Sequence, residues 1–556
     1  MKITVSELIV RYMQHLGIKY IFGMPGAHIL PVYDSLYDSD IQAILAKHEQ
    51  GAAFMAGGYA KASGKISACI TTAGPGATNL ITGIANAYAD KQPILVITGE
   101  TSTHIFGKGG LQESSGEGGS IDQSILFKSI TRYSKVIERT DYLDQVLNQT
   151  SKALLSANPG PVLLSLPFNV QKEWVDDDIL DGIKTKGRVY TIDKYSPPVE
   201  ALAQLIRNAK YPVIVAGYGC IRSGAQEVIA QLSDLLNIPV ATSLKGKGVI
   251  SEQSVMSLGS LGVTSSGIAY GYIVEQADLV IFLGAGFNER TSYLWDKKLL
   301  DNKKVAQIDS SAEQLEKVFE ADIAIQGDIN EVLTGVFSNL QEKGITPKEY
   351  RPVSNQDDIP NNDSRDKYAS LSRGKFTLVE KFFSELAKHF PENAFFFDDN
   401  IIFAQNFFNV SSSNRYFPNS GISSLGHAIP AAIGARFSAD KPTFAILGDG
   451  GFQMCCMEIM TAVNYGIPIN VVLFNNSTMG LIRKNQSQLY NERFINCDFI
   501  NPDYAHLARS FGINHQKVTT TTDVENLFAN QDLKNTTNLI EIMIDKNAFP
   551  NYRSGR

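Results

Sequence analysis

The chain has 556 residues, 44% of them apolar, and a formal net charge of −7. That length exceeds a single hydrophobic core and implies about three domains at ~100–200 residues each. Mild acidity without a lysine- or arginine-rich block argues against nucleic acid or a membrane surface as partner, and no apolar run reaches the ~18 residues that would span a bilayer.

Met1 to Gly17 carries Lys2, Glu7 and Arg11 among apolar residues, so it reads as an amphipathic helix rather than a signal peptide, closing at Gly17. Cysteines at 69, 220, 455, 456 and 497 show no metal-like spacing and read as the reduced thiols of a cytoplasmic protein. Ile18 to Phe22 is a predicted strand whose turn, Gly23-Met24-Pro25-Gly26, lets a ligand approach the backbone closely. A strand at Ile41 to Ala46 leads through His48 and Glu49 into an Ala- and Gly-rich helix, Gln50 to Ser63, suited to tight helix packing. Glu49 has few polar neighbours in sequence and would be costly to keep ionised if buried, whereas His48 reads as a packing residue.

Ser67 to Thr72 and Pro93 to Thr98 are further strands, and a turn at Gly74-Pro75-Gly76 opens a helix at Ala77. Gly107 to Gln123 is rich in glycine and acid and reads as a mobile loop. Val162 to Leu166 closes the first domain, 1–175. A second α/β unit, 190–345, has strands at Pro212 to Ala216, Leu279 to Gly284 and Val305 to Ile308. The polar stretch 346–372 reads as a linker to the last domain, 373–556. There Phe376 to Phe390 is a helix, and Ala394 to Phe397 is a strand ending on Asp398-Asp399-Asn400.

The densest chemistry lies between Thr443 and Asn476. A buried strand, Thr443 to Leu447, ends on Gly448-Asp449-Gly450-Gly451; Met454 to Tyr465 has helical length; a second strand, Ile469 to Phe474, ends on Asn475-Asn476. One βαβ unit therefore sets Asp449 beside Asn476. With the Thr478 carbonyl they form hard oxygen donors suited to Mg²⁺ holding a diphosphate. Leu481 to Tyr490 is a helix, Asn501-Pro502-Asp503-Tyr504 begins a capped helix, and Leu539 to Ile544 is the closing strand.

The Gly448 to Asn476 stretch resembles the diphosphate-binding motif of thiamine-diphosphate (ThDP) enzymes. Ile21 to Gly26, His48 to Ala52, Gly74 to Asn79 and Gly426 to Ala435 are similar, in order, to the acetolactate synthase-like branch of that superfamily. The resemblance implies three α/β domains with mostly parallel sheets flanked by helices: pyrimidine-binding, central and diphosphate-binding. It implies that Glu49 shares a proton with the cofactor's aminopyrimidine, that Gln112 faces the reaction centre, and that Leu425 wedges the cofactor into a bent form. Gly26, Gly448, Gly450, Gly451, Met479, Gly480 and Leu481 are implied as further cofactor contacts, with Asp449, Asn476 and Thr478 as Mg²⁺ ligands.

Departures from the family pattern are equally specific. Leu111 replaces an aromatic residue beside Gln112. The flavin-binding segment of the FAD-containing synthases has its counterpart in Gly284 to Arg290, where Gly286 stands for the arginine, so FAD is not favoured. Asn485 stands where synthases that select a larger acceptor have tryptophan; Arg483, two residues earlier, reads as a solvent-facing arginine or, alternatively, a contact for an acceptor carboxylate. The implied activity is decarboxylation of a 2-oxo acid such as pyruvate and transfer of the two-carbon unit to a carbonyl acceptor. The alternatives are a 2-oxo acid decarboxylase or aldehyde lyase, and a non-catalytic homologue. The implied assembly is a homodimer with shared sites, with a tetramer as the larger alternative.

Overall fold

The computed structural model describes residues 1–187, 193, 195–344, 346–348 and 375–549. Nearly all of the predicted linker, 346–372, lies outside the described residues. Three six-stranded sheets, every strand pair parallel, form the centres of the three domains. Central strands such as Ile94–Glu100 and Asn470–Asn475 are buried along their whole length, as befits parallel strands covered on both faces.

The first sheet runs, from edge to edge, Gln42–Leu45, Tyr20–Gly23, Ser67–Thr71, Ile94–Glu100, Val162–Pro167 and Tyr133–Val136. The third repeats that order with Arg415–Pro418, Phe395–Asp398, Thr443–Gly448, Asn470–Asn475, Asn538–Met543 and Asn514–Val518. In both, the chain reverses its winding between the first strand in sequence and the third. That reversal opens a crevice at the carboxyl ends of those two strands, where α/β sheets hold ligands. The middle sheet has the doubly wound order Ser257–Ser260, Val240–Thr242, Pro212–Ala216, Leu279–Leu283, Lys304–Asp309, Ile323–Gln326.

Two helices join the first and third domains. Glu49–Ser63 packs on Ala428–Arg436 so closely that an added Cβ at Gly58 would collide with the Ala431 carbonyl, and one at Gly434 with that of Met55. Gly58 lies level with Ala431 and Met55 with Gly434, so the helices are antiparallel. One apolar core runs across both domains, from Phe22 and Ala53 to Ile433 and Leu473. The middle domain is tied in by Asp90, a buried carboxylate paired with Lys61 at 2.7 Å and with Lys245 at 2.6 Å. Burial alone would raise the Asp90 pKa, but Lys245 and Lys61 outweigh it and hold the carboxyl well below its ordinary range.

Two local expectations are corrected. The helix anticipated at Met454 to Tyr465 begins five residues earlier, as Asp449–Cys455, and is interrupted by a tighter turn at Cys456–Glu458 before Ile459–Asn464. Glu458 explains the interruption: its carboxylate accepts the Lys47 and His48 backbone N–H groups at 3.0–3.2 Å and so caps the neighbouring helix. The loop anticipated as mobile, Gly107 to Gln123, is wound around two carboxylates. Glu113 accepts hydrogen bonds from Gly107, Gly109, Gly110 and Ser115, and Glu100 accepts from Ser114 and Gln123.

Replacing Gly58 with Ala should lower stability by roughly 1–3 kcal/mol, because backbone rather than a flexible side chain must give way. Gly57→Ala, where an added Cβ meets nothing within 4 Å, should be neutral or stabilising by up to ~1 kcal/mol. Urea unfolding of the two variants measures the difference; equal midpoints would mean that the helix contact carries no stability.

Candidate active site

The third sheet's crevice lies between the ends of Phe395–Asp398 and Thr443–Gly448. Asp449, the first residue of its helix, is buried and takes four donors: Asn476 N–H at 3.1 Å, Ser477 N–H at 2.6 Å and Asn501 Nδ2 at 2.9 Å on Oδ2, with Gly450 N–H at 3.0 Å on Oδ1. Burial pushes the Asp449 carboxyl above its ordinary range, against the lowering effect of those donors. Asn501 Nδ2 also reaches Asn475 Oδ1 at 2.8 Å, and Asn475 donates to Glu541 at 2.6 Å. The two strand-end loops are thus fixed against each other by polar side chains, and an added Cβ at Gly450 would collide with the Met479 sulfur.

Asp449 Oδ1 keeps a free lone pair, Asn476 Oδ1 accepts only the Thr478 N–H at 3.2 Å, and the Thr478 carbonyl accepts no hydrogen bond from the described residues. Hard oxygens with spare acceptor capacity, on two loops of one crevice, fit a divalent cation that also binds phosphate. No group of three or more His, Cys, Asp or Glu among the described residues could hold a metal instead. An added Cβ at Gly448 would meet no atom closer than 3.8 Å, so room for a ligand remains there.

Leu425 sits half-buried on the other side of the crevice, in a loop pinned by Asp399. Asp399 Oδ2 accepts Gly426 N–H at 2.7 Å, and Oδ1 accepts Asn419 Nδ2 at 3.0 Å. Burial pushes Asp399 up to about 7 and its neighbour Asp398 up to about 6. Gly451 packs against Asp399, and Gly480 opens the helix Gly480–Leu489, where Leu481 is exposed.

Glu49, Gln112 and Gly26 gather at the carboxyl edge of the first sheet. Glu49 begins its helix and accepts Asn79 Nδ2 at 3.0 Å on Oε2. It is half-buried rather than buried. His48 is exposed and caps the helix, its Nδ1 accepting Gln50 N–H at 3.1 Å, and is not a packing residue. Gly26 is pressed against Thr72, its added Cβ lying 2.6 Å from the Thr72 Cβ. Gln112 hydrogen-bonds to Thr72 and His28. Among the described residues, neither Glu49 nor Gln112 hydrogen-bonds to the third domain.

Arg483 is neither solvent-facing nor free for an acceptor. It is buried, paired with Asp498 at 2.6 Å, bonded to Asn547 at 3.1 Å and stacked over Phe494 at 3.8 Å. Residues missed by the sequence reading are Asn501, Asp399, Glu458 and His28. Asn79 stood inside the quoted Gly74 to Asn79 motif, which was its signal; Asn501 had none, since its Asn-Pro-Asp-Tyr context reads as a cap.

A cavity of about 530 Å³ opens at the middle sheet's crevice, between the ends of Pro212–Ala216 and Leu279–Leu283. Gly284, Gly286, Arg222, Arg290 and Asp309 line it, with Gly421 from the third domain. An added Cβ at Gly286 would meet only Gln314, at 3.8 Å, so no other side chain fills the place of the family's arginine.

Family models match all three units: the thiamine pyrophosphate enzyme N-terminal TPP-binding domain over residues 3–119, the central domain over 199–336 and the C-terminal TPP-binding domain over 400–542. A probable acetolactate synthase large subunit of Methanocaldococcus jannaschii is 32% identical, across 97% of this chain and 92% of the relative. One of Methanococcus aeolicus is 31% identical across 93% and 88%, and the acetolactate synthase large subunit of Lactococcus lactis 32% across 97% and 92%. No helix among the described residues is long and apolar enough to cross a membrane. A chain with these three units, in this order and over this length, belongs to the thiamine pyrophosphate enzyme family, in its acetolactate synthase-like branch, and is a thiamine-diphosphate-dependent carboligase.

Proposed function

We propose that the chain decarboxylates pyruvate and transfers the two-carbon unit to a second 2-oxo acid, using Mg²⁺ to hold the diphosphate of ThDP. The observation that carries this reading is the oxygen-lined crevice at Asp449, Asn476 and Thr478, with its spare acceptor capacity. When bound, ThDP supplies an acyl-anion equivalent, the chemistry that no side chain provides. Asp449 Oδ1, Asn476 Oδ1 and the Thr478 carbonyl ligate the metal. Gly448 leaves room for the diphosphate, Gly450 and Gly451, packed on Met479 and Asp399, form the backbone turn beside it, and Met479, Gly480 and Leu481 flank it. Leu425 supports the cofactor rings from the loop that Asp399 pins. Glu49 holds a proton at Oε1, the oxygen that Asn79 leaves free.

The active unit is a homodimer. Support comes from the antiparallel helices that join the domains: Glu49 lies nine residues before Gly58, and the partner helix begins three residues before Ala431. At 1.5 Å per residue, Glu49 and the Leu425 end are roughly 18 Å apart along the pair. One chain therefore offers two unlike half-sites, and a second copy completes each. The domain limits 1–175, 190–345 and 373–556 are part of the same proposal, as is a central domain without stoichiometric flavin, supported by Gly286.

With pyruvate alone, product NMR should find acetolactate; acetaldehyde as the sole product would favour the simple decarboxylase. Competing pyruvate with 2-oxobutyrate should show weak preference, because Asn485 supplies no apolar wall and one methylene is worth only ~1–3 kcal/mol even with one. Glu49→Gln should slow turnover ~10²–10⁴-fold while ThDP affinity stays within a fewfold, and near-normal turnover would remove Glu49 from the proton path. Asp449→Ala should weaken ThDP binding in the presence of Mg²⁺ and little in its absence, read by titration; unchanged affinity would put the metal elsewhere. The purified protein should show no flavin absorbance, and a stoichiometric yellow preparation would overturn that part of the reading.

A further inference from the structure

At the carboxyl edge of the first sheet, His28, Thr72 and Gln112 form a hydrogen-bonded set that the roles above leave unused. Thr72 Oγ1 accepts the His28 backbone N–H at 3.4 Å, and its own hydroxyl hydrogen goes to Gln112 Oε1 at 3.2 Å. Oε1 is a carbonyl oxygen and only accepts. His28 Nδ1 lies 3.3 Å from that same Oε1, so Nδ1 must carry the hydrogen between them. The tautomer follows: in the neutral ring Nε2 is the bare nitrogen. Nε2 makes no hydrogen bond to the described residues, and the ring is only partly buried.

The set is braced from behind. Gln171 Nε2 donates to the His28 carbonyl at 2.7 Å, and that carbonyl lies so close to Gly99 that an added Cβ there would sit 2.5 Å away. Gln112 holds a left-handed backbone, φ 56°, which a non-glycine residue adopts at a cost and which the Glu113-wound loop imposes. Strain, bracing and a defined tautomer all serve to hold one ring nitrogen unpartnered beside Gln112. On the third-domain side, Arg483, the cation anticipated as an alternative contact for an acceptor carboxylate, is committed to Asp498 and Asn547.

We propose that His28 carries the proton of the transfer half-reaction, acting through Nε2 on the acceptor's carbonyl oxygen; this rests on the carboligase reading above. Nε2 enters the transfer step carrying a proton taken from water; as the carbon–carbon bond forms, the carbonyl π pair moves to oxygen, which takes that proton and leaves the neutral ring with Nε2 bare. As product leaves, the hydroxyl of the two-carbon unit returns its proton to Nε2 while its own carbonyl forms, and the electron pair of the breaking bond stays with the cofactor. The ring ends each turnover as it began, and Nδ1–H stays on Gln112 throughout.

His28→Asn separates proton transfer from positioning, because its amide nitrogen can replace Nδ1 as donor to Gln112 but nothing replaces Nε2. The variant should lose ~10²–10⁴-fold in ligated product. Release of CO₂ from pyruvate with ferricyanide as electron acceptor, which bypasses the carbonyl acceptor, should stay within about threefold of wild type. Ligation near the wild-type rate in His28→Asn, or an equal loss of both rates, would overturn the proposal. Independently of turnover, ¹⁵N-histidine NMR of the wild-type protein should find the neutral form of the His28 ring as the Nδ1–H tautomer, and a neutral ring in the Nε2–H tautomer would overturn it. Wild-type protein that releases no CO₂ from pyruvate with ferricyanide would count against the carboligase reading, and the NMR result would still decide the arrangement of His28.

Discussion

Backbone contact between two helices governs where every group at the candidate site can be. Glu49–Ser63 and Ala428–Arg436 approach until the Gly58 and Gly434 positions touch carbonyls of the opposite helix, a separation only residues without side chains permit. Each helix is reached from a sheet edge that bears chemistry: one begins at Glu49, the other just after Leu425. Fixing the helices therefore fixes the two edges. Around the contact, Phe437 meets Tyr20 at a tilt and Phe22 edge-on, with ring centroids 5.1 and 5.6 Å apart, so aromatic side chains fill the seam.

Carboxylates do the fine positioning. Glu113 winds the loop before Gln112, Asp399 pins the loop before Leu425, Asp449 gathers the Asn476 loop, and Glu458 caps the helix that starts at Glu49. In each case an acidic side chain accepts backbone N–H groups that lack a partner in a helix or strand. Such charge-assisted bonds are short and directional, and they define loops that apolar packing cannot reach. The middle domain adds its own version, with Asp90 holding one lysine from its own domain and one from across the boundary.

Central strands were legible because burial on both faces makes them continuous apolar runs, as in Ile94–Glu100 and Leu279–Leu283. Edge strands were legible less often: Gln42–Leu45 was anticipated, but Tyr133–Val136, Ser257–Ser260 and Ile323–Gln326 are only partly buried and carry mixed residues that resemble loop. The glycine-flanked Asp449 and the asparagine pair announce themselves by local spacing. His28 and Asn501 do not, since their partners lie 84 and 52 residues away in sequence and only the fold brings them together. Arg483 escaped for a related reason: Asp498 and Asn547 reach it across loops that no helical periodicity describes.

Asp398 and Asp399 have a consequence for how the third domain responds to acidity. Burial raises them to about 6 and about 7, against about 3.9 for an aspartate in the unfolded chain. Between those limits the native state keeps protons that the unfolded state releases, so the free energy of unfolding falls as pH rises. Their contribution is full below about pH 4 and is lost as pH climbs through 6 and 7. Asp90 has the opposite sign: its lysine partners depress its pKa, and its contribution disappears only as the solution becomes strongly acidic. Two buried acids at one crevice and one at a domain boundary thus pull the protein's pH tolerance in opposite directions.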